Sequence, residues 1–158
     1  MKPTDGRRMA IVVFVDHTEC RWLTVLKRGF RHCFVAIRQG PSWIVCDPLK
    51  NRIELLSLDL SPDFDLAGFY AAQGHAVLVG AAADQQTTSA FPPTPLTCVA
   101  VVKRIIGVRA AAVLTPRQLF LHLARGPGAG PSWRWVRANG SSASANPGAT
   151  SPLDMRAE

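Results

Sequence analysis

The sequence predicts an α+β fold, a small antiparallel β-sheet packed against a helix that begins at a cysteine, followed by a loose C-terminal tail. Three observations carry this. Short β-branched and apolar runs separated by turn residues crowd the first 58 positions, as consecutive strands do. Capped helical patterns come later, around 61, 97 and 115. After Arg125 the composition turns to Gly, Pro, Ser, Ala and Asn, the signature of an unfolded segment.

Ala10–Asp16 (AIVVFVD) reads as a buried strand, because β-branched side chains suit a pleated surface. Trp22, Leu23 and Leu26 sit at helical spacing within Glu19–Arg28, which Gly29 ends. Phe30–Arg38 and Ser42–Asp47 flank Gln39-Gly40-Pro41 and form a β-hairpin. Arg52–Leu58 supplies the next strand of the meander.

Ser61-Pro62-Asp63 combines a cap, a first-turn proline and an acid at the positive end of a helix dipole, so a helix is expected from there to about Gln73. His75–Gly80 is a further strand, and the Thr-, Ser-, Gln- and Pro-rich stretch 81–95 a loop. Helices follow over Thr97–Ile106, stopped by Gly107, and from Thr115-Pro116, with Leu119, Phe120 and Leu123 on its apolar face. The domain expectation is one α+β unit over 1–125 and a flexible tail over 126–158, in which Trp133 and Trp135 could dock.

A chain of 158 residues, 47% hydrophobic, can bury a core without disulfide staples. Its apolar runs (AIVVFV, HAVLVGAAA, TCVAVV) fall well short of the roughly 20 residues that cross a bilayer. MKPTDGRRM lacks the apolar stretch of a secretory signal. The expectation is therefore a soluble protein, cytoplasmic when synthesised. Eighteen Lys and Arg against eleven Asp and Glu give a net charge of +7. The excess is scattered in pairs (Arg7-Arg8, Lys27-Arg28, Lys103-Arg104) with one Tyr in the whole chain. That pattern predicts weak attraction to polyanions and no specific nucleic-acid recognition. No glycine-rich phosphate loop is present, and no cofactor is expected.

Cysteines stand at 20, 33, 46 and 98, with no CxxC pair. His17, Cys20, Cys33 and Cys46 could be read as zinc ligands. Structural zinc uses tighter ligand pairs, so no metal is expected. Cys98 is different. It falls at the first turn of a helix, where unpaired backbone N–H groups favour a thiolate and can also donate to an oxyanion. The plain alternative is a small buried thiol on the helix's inner face. His32 begins a strand, and folding the hairpin about 39–41 brings Asp47 roughly opposite it. Alternation places His32, Phe34 and Ala36 on one face and turns Cys33 away. A thiol, a base and a group that orients the base are what nucleophilic catalysis requires. Asp16-His17 could also contribute, whereas His75 and His122 read as structural.

The order of a strand His in HCFVAIRQG, a second strand ending in a polar residue, and Cys at the head of LTCVAVVKRIIGV resembles the circularly permuted papain-like group. These are NlpC-type amidases and peptidases, with lecithin–retinol acyltransferase-like enzymes among them, whose His precedes the Cys. Gly-Phe-Arg-His-Cys-Phe-Val, Thr-Cys-Val-x-x-Val-Lys-Arg-x-x-Gly and the following Thr-Pro-x-x-Leu are also similar to small proteins of phages and prophages, over roughly residues 9 to 124. The resemblance implies Cys98 as nucleophile, His32 as general base and Asp47 as orienting group. The acyltransferase branch has Asn before its Cys and acidic or His residues after it; here Thr97 precedes and Val99-Ala100 follow.

The function expected is a thiol hydrolase acting on a peptide or acyl amide. The phage likeness implies a peptidoglycan or other cell-envelope amide and association with a virion. The alternative expectation is a non-catalytic virion or interaction protein that keeps the fold and uses its basic surface and the Trp133/Trp135 segment.

Overall fold

The computed structural model describes residues 8–17, 25–82, 97–126 and 133–138. Six strands, β1 (Arg8–Val15), β2 (His32–Gln39), β3 (Ser42–Pro48), β4 (Ile53–Leu58), β5 (Ala76–Ala82) and β6 (Arg134–Val136), form one sheet in the order β4-β3-β2-β1-β5-β6. Every neighbouring pair is antiparallel. Three helices pack on it: α1 (Leu66–Ala72), α2 (Cys98–Ile106) and α3 (Pro116–Arg125).

The unbroken apolar run of β1 follows from its place. It lies between β2 and β5, with helices over both sheet faces, so alternation with polar residues would bury polar groups. Ala10, Val12 and Phe14 join Val99, Val102 and Ile106 of α2 and Leu119, Phe120 and Leu123 of α3. Ile11, Val13 and Val15 join Leu66, Ala67, Tyr70 and Ala71 of α1 on the other face. Among the described residues no helix is long and apolar enough to cross a membrane.

Four sequence expectations change. The helix expected from Ser61 begins only at Leu66. Ser61 instead closes a turn by accepting from the Phe64 N–H at 2.9 Å, and Asp65 caps the helix by accepting from the Gly68 N–H. The helix starts where apolar residues face the sheet, at Leu66, Ala67, Tyr70 and Ala71, which outweighs the earlier cap signal. Of the expected helix 19–28, positions 18–24 lie outside the described residues; Phe30 N–H donates to Lys27 O at 3.0 Å, closing a turn rather than an α-helix. The loop expected over 81–95 begins later, since β5 runs to Ala82; positions 83–96 lie outside the described residues.

The fourth change concerns the tail. Residues 134–136 pair with β5, Val77 opposite Val136. Trp133 lies against Gly80, where an added Cβ would come within 2.5 Å of the indole, so the missing side chain makes room for the ring. The rest of the expected tail, 127–132 and 139–158, lies outside the described residues.

Candidate active site

One end of the sheet gathers the last residue of β1, the first of β2, the end of β3 and the first residue of α2. Asp16, just past β1, fixes the approach to His32. Its Oδ1 accepts from the Gly29 N–H at 2.7 Å and its Oδ2 lies 3.6 Å from Arg31. Gly29 has φ +80°, a left-handed conformation that a side chain would disfavour. Phe30 packs on Phe14 and Phe120, with ring centroids 5.7 and 5.1 Å apart. His32 is thus delivered from a segment held by polar contacts on one side and aromatic rings on the other.

The β2–β3 hairpin turns at Gly40 and Pro41, with Gln39 opposite Ser42. Val35 is paired with Cys46, so Asp47 lies diagonally across from His32 rather than directly opposite, a separation that side chains can still bridge. The contact is made: His32 Nε2 and Asp47 Oδ1 are 2.6 Å apart. Asp47 is the sole buried charged residue among those described, 3% exposed, and a carboxylate so placed needs a partner.

Thr97 caps α2 by accepting from the Ala100 N–H, and Val101 N–H donates to Thr97 O. The helix's own ladder does not use the N–H groups of its first residues, Cys98 and Val99. At the other end Gly107 adopts the left-handed cap, and Lys103 Nζ donates to the carbonyls of Ala110 and Val113 at 2.8 and 2.7 Å. The helix is therefore anchored at both ends, with Cys98 half-buried at the sheet.

Cys98 lies where the side chains of both Cys33 and His32 act on its sulfur. The Cys33 hydrogen bond lowers its pKa most; burial opposes, and the hydrogen bond and charge of His32 add to the lowering, which leaves the thiol at about 5. Burial works against a charged His32, but the hydrogen bonds to Asp47 and Cys98 and the charges behind them outweigh it and lift the ring to about 9. Between those values Cys98 is a thiolate and His32 an imidazolium. The Asp47 contact occupies Nε2 of the ring.

No family model, curated protein or solved structure matches this chain.

The structure brings Cys98, His32 and Asp47 together. Of the other candidates, Asp16 supports the segment before His32, His17 is exposed, His75 lies near the Tyr70 ring, and His122 is in the last turn of α3. Cys20 lies outside the described residues. Among the described residues no three His, Cys, Asp or Glu side chains form a metal-binding set.

Cys33 is the site residue that sequence reasoning missed. Alternation does put Phe34 with α1 and Cys33 with α2, but α2 carries Cys98 onto the Cys33 face while the His32 ring reaches the same sulfur from the first position of the strand. Strand parity says which way a residue points in the body of a sheet and loses that power at its end.

Proposed function

We propose that this chain is a thiol hydrolase of the amidase or peptidase type, with Cys98 as nucleophile, His32 as acid and base and Asp47 as the orienting group. The observation that carries the reading is the single imidazole shared between a nearly buried carboxylate, at 2.6 Å, and the sulfur of a residue at a helix N-terminus. The layout of His on one strand, acid on the next and Cys heading a later helix supports a permuted papain-like architecture.

In this scheme the Cys98 thiolate attacks the amide carbonyl carbon. The carbonyl oxygen takes up negative charge facing the unused N–H groups of Cys98 and Val99, where preorganised donors stabilise it. His32 gives its proton to the departing amine nitrogen as the C–N bond breaks. Water then attacks the thioester, losing a proton to His32, and the acid product leaves as the C–S bond breaks and the ion pair is restored. Asp47 holds the ring in place and favours its charged form. By resemblance to phage proteins, a peptidoglycan cross-link or another cell-envelope amide is the substrate proposed, encountered through a virion.

The test is competitive alkylation of the full chain with iodoacetamide at pH 6.5, read by peptide mass, beside release of free amines from purified peptidoglycan. Cys98 is expected to label far faster than Cys20, Cys33 or Cys46, and Cys98→Ala to abolish amine release. Equal labelling of all four cysteines would overturn the nucleophile assignment and favour the non-catalytic interaction protein.

A further inference from the structure

The hydrolytic scheme gives Cys33 no chemical step, yet Cys33 is fully buried directly against the nucleophile. Both are free thiols. Cys33 sits at the second position of β2, a central strand, and Cys98 at the first position of the helix packed on that strand. Cys98 packs against the core cluster that holds Cys33, and the two thiols act on each other's charge, so closing a bond of about 2 Å between the sulfurs needs adjustment within one packed contact. Cys46, the other buried thiol described, is one strand further across the sheet, in register with Val35, and its neighbouring charge is Asp47.

We propose that Cys33 and Cys98 form a dithiol–disulfide pair, with hydrogen peroxide as oxidant, that reversibly closes the site. Its consequence for activity rests on Cys98 being the hydrolytic nucleophile; the cross-link itself does not. In the first step the Cys98 thiolate attacks one peroxide oxygen. An S–O bond forms, the O–O bond breaks, and hydroxide leaves as water with the proton of His32. The sulfur is oxidised by two electrons to a sulfenic acid and the peroxide is reduced. In the second step the Cys33 sulfur attacks the Cys98 sulfur, the S–S bond forms and the S–O bond breaks. The departing hydroxide takes up the Cys33 proton and leaves as water. A thiol reductant returns two electrons and two protons.

A partly exposed thiolate beside an imidazolium is the kind of cysteine that peroxide selects. Alone it would proceed to sulfinic acid, which thiols do not reverse. Cys33 intercepts it at the first stage because no diffusing partner is needed.

The experiment uses the reduced full-length chain, treated with graded hydrogen peroxide at pH 7, blocked with N-ethylmaleimide and digested with trypsin without reduction. Cleavage after Arg31, Arg38, Lys50, Arg52 and Lys103 puts Cys33, Cys46 and Cys98 on separate peptides, with Cys20 on a fourth. The expected product is the Cys33–Cys98 cross-linked peptide, with Cys46 alkylated as a thiol, and dithiothreitol restoring at least nine-tenths of Cys98 labelling. In Cys33→Ala, Cys98 is expected to gain two oxygens and resist dithiothreitol. Sulfinic acid at Cys98 in the wild type, or a cross-link to Cys20 or Cys46, would overturn the proposal. The wild-type digest decides this even if Cys33→Ala misfolds. Amine release measured on the same samples keeps the two readings apart, since a missing cross-link in an active enzyme counts against the redox pair alone.

Discussion

His32 and Asp47 meet diagonally across a two-stranded hairpin, joining the first residue of β2 to a carboxylate near the end of β3 at 2.6 Å. The carboxylate is almost wholly withdrawn from water, so its interaction with the ring is screened little by solvent. Asp47→Asn is expected to lower kcat/KM of the proposed amide hydrolysis by about 100-fold, the lower end of what general acid–base groups contribute. It should also move the alkaline limb of the pH profile down from about 9, because the asparagine removes the charge that favours imidazolium. A variant with unchanged alkaline limb would place Asp47 outside the proton chemistry.

The thiolate window can be measured without knowing the substrate. Alkylation of Cys98 should follow a midpoint of about 5 rather than the ordinary 9.0. The kcat/KM profile should be bell-shaped, rising through about 5 as Cys98 ionises and falling through about 9 as His32 loses its proton. An alkylation midpoint at or above 8 would exclude the resting ion pair.

The same two groups set a stability window. His32 is raised on folding, so its contribution is complete below 6.5 and lost as pH rises through about 9. Cys98 is lowered, so its contribution is complete above 9.0 and lost as pH falls through about 5. From 6.5 to 9 the loss of one offsets the gain of the other, since folded and unfolded chains each hold one proton on the pair. Between 5 and 6.5 only the folded chain has released a proton, and the pair's contribution rises with pH. Urea midpoints of the wild type should therefore climb across that interval relative to a Cys98→Ser, His32→Asn double variant, then run parallel to it up to 9. A difference that stays constant from 5 to 6.5 would show that the pair does not share its proton as described.

Much of this was legible from residue order. The turn signal at Gly40-Pro41 fixed the hairpin register closely enough to pair His32 with Asp47, and Thr97 with Gly107 marked both ends of α2. Asp65 was less visible as a cap because the Ser61-Pro62-Asp63 signal lies just before it. Cys33 was hidden for a different reason: its contact with Cys98 depends on where a helix lands on the sheet, and that is set by packing among Val35, Val99 and Val102. Strand β6 was hidden inside a Gly- and Pro-rich stretch, where three residues are too few for a periodicity to show.

The start of α2 offers a test of how far the helix terminus positions the Cys98 thiol. Thr97→Ala removes the acceptor for the Ala100 N–H and is expected to cost about 1 kcal/mol of stability. Cys98 is the adjacent residue, so fraying of the first turn should also slow its alkylation at pH 6.5. Thr97→Ser keeps the acceptor and should restore both. A stability loss with no change in Cys98 labelling would show that the cap serves the helix and not the thiol.

Gly80 and Trp133 form a pair whose coupling decides whether residues past Arg125 belong to the folded unit. A Cβ at 80 would come within 2.5 Å of the Trp133 ring, closer than packed atoms approach, and the indole has a short stem with little room to swing. Gly80→Val should therefore lower stability by about 1–3 kcal/mol, the usual cost of overpacking. In a Trp133→Ala background the same substitution should cost clearly less, because the space it needs has been vacated, giving a coupling of about 1 kcal/mol or more in the double-mutant cycle. Additive effects of the two substitutions would mean that Trp133 does not rest on β5 in solution. Coupling of the expected size would place β6, through Val136 opposite Val77 and Trp135 against Phe120, within the cooperative fold that carries the site.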